Sequence, residues 1–299
     1  MISVGIVGTS DPNAGELIRL LVNHPDVNLV KLCDNKNQGK SIVEIHHGLI
    51  GETNLSVSPI EDLEDIDVLF ISLNSLETKE FLSNYIIPND QFIIDMSGYA
   101  REYCDAKFVY GLSELNRKPL VRGAHLATIL TPVASVILIS LIPLITKNIS
   151  ISDIVVNVKG GVESLSGIES EVNEQLRKIQ AEFNSNIKIN LSEQEQRRGI
   201  RVEMSLTTDM SFDEIFGLYE DYYDDHNMTY ILRDRKDYKE VEGSDKCLVS
   251  LIDKSNGQLV IDTIADARLR GGAGDAVHVM NLFCGLHEKI GLTLKVNNF

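Results

Sequence analysis

Residues 2–25, ISVGIVGTSDPNAGELIRLLVNHP, decide the fold. Ile2 to Val7 is a short apolar run that closes on Gly8, and after a polar turn Glu16 to Val22 carries apolar residues at helical spacing. This reads as strand, turn, helix. A second strand-like run, Val27 to Leu32, ends at Cys33-Asp34, and further runs follow at Val68–Leu73 and Phe92–Asp95. Strands alternating with helices of this length predict an α/β chain with a parallel sheet covered by helices on both faces.

The pattern changes after a long apolar helix predicted over about 132–146. Its apolar run, Val133 to Ile145, contains Pro143 and is too short to cross a bilayer, which takes ~20 helical residues. Partly alternating strands are predicted at Val155–Val158, Ile187–Asn190 and Ile200–Leu206, then an amphipathic helix over Phe212–Tyr223. Two strands, Cys247–Ile252 and Leu259–Ile264, are joined by a turn at Ser255-Asn256-Gly257. Gly271 to Gly274 opens a last helix running to about Gly285. The expected organisation is a doubly wound domain over 1–131, completed by the C-terminal helix within 271–299, and an α+β domain over 132–270 with a mixed or antiparallel sheet.

A length of 299 residues accommodates two cores, and 43% hydrophobic with 24% charged residues is an ordinary globular balance. The formal charge of −16 is spread along the chain and would repel a nucleic-acid backbone. The one basic cluster, Gln196 to Arg201, is too short for such a footprint and reads as charges at a strand start. Cys33, Cys104, Cys247 and Cys284 stand at wide spacings without a CxxC pair, so no zinc site or disulfide framework is expected. Reduced thiols and the lack of a basic, cleavable leader pattern fit a cytoplasmic protein without membrane association. His46-His47 and His125 lack ligand partners at metal spacing, so no metal is expected.

Three stretches carry a family resemblance. They are Val4 to Pro25; Val109 to Arg117 (VYGLSELNR) with Asp95-Met96-Ser97 and Arg101 ahead of it; and Gly271 to Asn281, flanked by Asp266 and by Gly285-Leu286-His287-Glu288. Together, and in order, they resemble the N-acetyl-gamma-glutamyl-phosphate reductase family of the semialdehyde-dehydrogenase group. The resemblance implies a Rossmann-type domain and a second domain serving catalysis and dimerisation. It also implies NAD(P)-dependent reduction of an acyl phosphate through a cysteine thioester, which needs an acidified thiolate served by a histidine. Counted back from Ile142-Pro143-Leu144, the family's N-P-G-C falls on Ile129–Pro132, so Pro132 stands at the nucleophile's place. Proline suits a first helical turn but offers no nucleophile. The family's H-R-H-x-P-E-I falls on Ser166–Val172, which has no histidine, and its S-G-A-G-R loop falls on Gly161–Leu165. Cys104 and Cys247 have no visible base nearby and read as idle thiols. No catalytic residue can be assigned.

The resemblance also locates a cofactor turn. The family's three glycines fall on Gly8, Asp11 and Ala14, and the expected contacts are Gly8, Thr9, Ser10, Asp11, Asn13 and Ala14, with Asp34 and Asn74 from later turns. Alanine is tolerable at a packing contact, whereas Asp11 would set a carboxylate beside a diphosphate at the positive end of a helix. Asp34 either receives ribose hydroxyls, favouring NAD over NADP, or is an exposed loop aspartate. The cofactor is therefore NAD, NADP or none. Ser97, Arg101 and Tyr110 face substrate in one reading and are scaffold in the other. Two functions follow: an NAD(P)-dependent oxidoreductase of arginine-type amino-acid biosynthesis that transfers hydride without a thiol, or a non-catalytic paralogue with a metabolite-binding or regulatory role. The partners expected are a small metabolite and further copies of the chain.

Overall fold

The computed structural model describes residues 1–61, 63, 65–160, 165–183, 187–192, 198–254 and 257–296. In chain order the first elements are β1 (Ile2–Val7), α1 (Pro12–Leu21), β2 (Val27–Cys33), α2 (Ile42–Ile45), β3 (Val57–Ser58), β4 (Val68–Ile71) and α3 (Ser75–Asn84). Next come β5 (Phe92–Asp95), α4 (Tyr99–Glu102), β6 (Val109–Tyr110), α5 (Ser113–Val121) and β7 (Leu126–Thr128). The remainder is α6 (Pro132–Thr146), β8 (Ile151–Lys159), α7 (Ile168–Ile179), β9 (Ile187–Ser192), β10 (Gly199–Thr208), α8 (Phe212–Tyr223), β11 (Thr229–Leu232), β12 (Cys247–Asp253), β13 (Gln258–Asp266) and α9 (Ala273–Phe283). The chain divides into two units, Met1–Leu130 with Gly272–Thr293, and Thr131–Gly271 with the segment from Leu294.

In the first unit seven parallel strands lie in the order β3-β2-β1-β4-β5-β7-β6. The direction of winding reverses between β1 and β4, the place where doubly wound sheets open a crevice at the carboxyl ends of their strands. All of β4 is buried, and α1 lays Ala14, Leu17, Ile18 and Leu21 into the core. Gly8 turns the chain out of β1 with φ +91°, and a Cβ there would lie 2.6 Å from the Ser72 carbonyl, so no side chain fits. Helix α9 returns from the end of the chain to pack against α1, α5 and β5. It is fixed by His24, whose Nε2 lies 3.1 Å from Asn281 Oδ1, and by Phe283 stacked on Phe92.

In the second unit a six-stranded sheet runs β11-β12-β13-β10-β8-β9, parallel at its two outer pairs and antiparallel within. Val133 to Ile145 of α6 are buried all round, which is the mark of a core helix. Two of its polar groups are paired: Ser140 Oγ lies 2.8 Å from Thr263 Oγ1, and the Ile139 carbonyl accepts from Tyr223 at 2.6 Å. Among the described residues, no helix is long and apolar enough to cross a membrane.

The fold is the expected α/β arrangement with a second, mixed sheet. Helix α1 begins at Pro12, ahead of the periodic stretch at Glu16, because Asp11 caps it and Pro12 suits its first turn. Helix α7 was not foreseen. Gly161–Ser164, Gln196, Arg197, Ser255 and Asn256, which figured in the sequence reading, lie outside the described residues.

Candidate functional site

The β1–α1 turn and the end of β2 form one hydrogen-bonded knot. Asp34, 4% exposed, accepts from Thr9 N at 3.1 Å, Thr9 Oγ1 at 3.0 Å and Ser10 Oγ at 2.9 Å on one oxygen, and from Lys36 N at 2.8 Å on the other. Burial pushes its carboxyl up, but the bonds from Lys36, Thr9 and Ser10 outweigh it and hold the group below the ordinary aspartate range. Asp34 is thus not an exposed loop residue. His46 braces the same turn, its Nε2 lying 2.6 Å from the Thr9 carbonyl.

Beside this knot lies a cleft of about 710 Å³, walled by the β1–α1 turn, the segment after β2 and helix α3. A dinucleotide diphosphate would need backbone N–H groups at the start of α1. Gly8 N donates to the Cys33 carbonyl, Thr9 N to Asp34, Asn13 N to Asp11 Oδ1 at 2.7 Å and Ala14 N to the Asp11 carbonyl, while Pro12 has no N–H. Asp11, Asp34, Glu77 and Glu80 line the cleft against one ammonium, Lys36, which is bound by Glu77 at 2.6 Å. Asn74 caps α3 through Glu77 N at 2.9 Å. These residues do not fit a dinucleotide diphosphate: the Asn13 and Ala14 amides are committed, Pro12 has none, and the phosphate charge would be opposed. Lys36 and Glu77 escaped the sequence reading, because nothing in their spacing announces a pair 41 residues apart.

Ser97 donates to Asp95 Oδ1 at 2.5 Å, and Asp95, wholly buried, also accepts from Ala100 N and Thr128 Oγ1. Arg101 donates to the Ile129 carbonyl, and Tyr110 is 8% exposed, with its carbonyl accepting from Asn116. Ser97 and Arg101 thus take part in fixing the β5 and β7 ends, and Tyr110 takes part through its backbone.

In the second unit, the N-terminus of α6 is the position the resemblance assigns to a nucleophile. Pro132 occupies its first turn and Thr131 caps it, accepting from Ala134 N at 3.4 Å. Glu171 of α7 receives Thr131 N at 3.1 Å and Thr131 Oγ1 at 2.9 Å. A carboxylate therefore holds the positive end of this helix. Glu171 falls inside Ser166–Val172, the stretch noted above for lacking histidine. Gly271, at φ +67°, lies so close that a Cβ would overlap the Pro132 backbone.

The thiols lie elsewhere. Cys33 and Cys247 are buried, burial pushes the Cys33 thiol up, and burial with Asp67 nearby raises Cys284 to about 11. Cys104 is exposed, with its sulfur near the Arg101 carbonyl. Among the described residues no cluster of His, Cys, Asp or Glu could hold a metal ion.

Comparison with known proteins places this architecture. Residues 3–122 match the family described as semialdehyde dehydrogenase, NAD binding domain. The N-acetyl-gamma-glutamyl-phosphate reductase of Parabacteroides distasonis is 35% identical over 327 aligned positions, and that of Phocaeicola vulgatus is 34% identical over 326, each match covering both chains completely. Among solved structures, a probable aspartate-semialdehyde dehydrogenase from Pseudomonas aeruginosa superposes with a TM-score of 0.73 at 14% identity, over 95% of this chain and 98% of that one. The Candida albicans aspartate semialdehyde dehydrogenase solved with NADP gives 0.74 at 13% identity, over 97% and 99%. At such identities the structures show the fold alone. The full-length identity to the reductases shows more: this chain belongs to the N-acetyl-gamma-glutamyl-phosphate reductase family.

Proposed function

We propose that this chain has given up acyl-phosphate reduction and serves amino-acid biosynthesis as a non-catalytic member of the reductase family, binding a small metabolite or regulating a partner subunit. The observation that carries this reading is the N-terminus of α6, where Thr131 and Pro132 stand at the place the resemblance gives the nucleophile. A thiol at such a place is acidified by the helix end. Neither Thr131 nor Pro132 can form a thioester. The engagement of the Ser97 and Arg101 side chains in the scaffold supports the same reading. The relatives' names supply the pathway class, the reduction of an acylated amino-acid phosphate. A cytoplasmic homo-oligomer is the expected state, checked by sedimentation.

The test is turnover in both directions. The purified chain is given N-acetyl-gamma-glutamyl phosphate with NADH or NADPH, and in reverse the semialdehyde with phosphate and NAD or NADP. The expected rate equals the protein-free background. Turnover in the usual enzymatic range, roughly 1–10³ s⁻¹, would overturn the reading.

A further inference from the structure

We infer that Asp11 and Pro12 close the crevice of the first unit to nicotinamide dinucleotides, so that the chain binds neither NAD(H) nor NADP(H) there. This goes beyond the missing thiol, because a thiol-free member of the family could still hold a dinucleotide. A diphosphate at the end of a strand–turn–helix unit is held by amide hydrogens and by the positive helix end. Asp11 weakens both: its Oδ1 takes the Asn13 amide at 2.7 Å and its charge opposes a phosphate at the helix end, while the Ala14 amide is already spent on the Asp11 carbonyl at 3.0 Å. Pro12 removes a third donor by chemistry, since its nitrogen carries no hydrogen. Lys36, the cation lining the cleft, is engaged by Glu77 at 2.6 Å, and Glu80 adds a further negative charge to the wall. The anion that α1 would attract is built into the chain.

The experiment is binding alone, with no substrate present, so its outcome is separate from that of the turnover assay. NADH and NADPH are titrated by fluorescence, and NAD and NADP by calorimetry, into the wild-type chain, Asp11→Asn, and the double variant Asp11→Gly/Pro12→Ala. Asparagine caps a helix as well as aspartate does, so Asp11→Asn keeps the fold while removing the charge. The wild type is expected to show no saturable binding. Asp11→Asn should gain at least ~10-fold, the order expected for one charge beside a diphosphate, and the double variant should gain more. Saturable binding of any of the four by the wild type overturns the inference. So does a lack of binding by both variants when circular dichroism shows Asp11→Asn to be folded, because Asp11 would then not be the excluding group.

Discussion

Thr131 gives both its hydrogens to one side chain: its amide and its hydroxyl donate to the two oxygens of Glu171, at 3.1 and 2.9 Å. The contact ties the first turn of α6 to α7 and satisfies an amide that would otherwise be orphaned at the helix start.

Breaking this contact is expected to cost stability. Thr131→Val loses the hydroxyl bond and the α6 cap, about 1–2 kcal/mol. Glu171→Gln keeps the size and weakens the pair by less. Urea unfolding of both single variants and the double variant gives the coupling between them, expected at 0.5 kcal/mol or more, about the lower bound for residues in contact.

Restoring a thiol alone is expected to restore no reduction. Pro132→Cys, in a Cys104→Ser background, places sulfur at the start of α6, but Ser166–Val172 supplies no histidine to serve it. Reductase assays on the variant should therefore stay at background. Acyl-phosphate reduction above background would show that the thiol works without that histidine.

Acid should loosen the first unit through His24. Its Nδ1 accepts from Asp26 N and its Nε2 lies on Asn281 Oδ1, an arrangement that suits the neutral ring. Burial lowers its folded pKa, against smaller raising effects from Asn281, Asp26 and Ile290. A lowered histidine pKa contributes stability that is present above the unfolded value, near 6.5, and is lost as pH falls through the folded value. Unfolding free energies measured from pH 8 to pH 5 should fall more steeply for the wild type than for His24→Gln.

Asp262 should behave in the opposite sense. It is 1% exposed on β13, and Arg201 Nε lies 3.4 Å from it without making a hydrogen bond. Burial raises its carboxyl above the usual range despite Arg201 and Arg235. Its ionisation therefore opposes folding as pH rises through the unfolded value and up to the folded one. Asp262→Asn should gain stability relative to the wild type at pH 7, with the gain shrinking towards pH 4. A pH-independent difference would show that packing, not charge, sets the effect.

Much of the fold was legible because periodicity reports burial. Phe92–Asp95, the helix over 132–146 and Phe212–Tyr223 coincide with β5, α6 and α8: the first two are mostly apolar runs buried almost throughout, and the third is apolar on one face. The strands β6 and β7, two and three residues long, were illegible because such runs are too short to show a period. In the site, Asp34 and Asp11 could be found from their places in the strand–turn–helix unit. Their roles could not, because they depend on which donors the folded turn brings to them. Ser10-Asp11-Pro12 did carry a readable signal, an N-cap followed by proline. Glu171 stands where the family's H-R-H-x-P-E-I has its glutamate, but its bond to Thr131, 40 residues away in sequence, could not be read from that.

The return of α9 to the first unit sets an order of events during synthesis. His24 leaves the ribosome 257 residues before Asn281, its partner. At ~5–20 residues per second, the first sheet waits roughly 13–50 s for the helix that covers α1 and β5. Through that interval the apolar faces of a seven-stranded unit stand incomplete while the whole second unit is made. The nascent chain, more than the finished protein, is where this fold is exposed to aggregation and to chaperones.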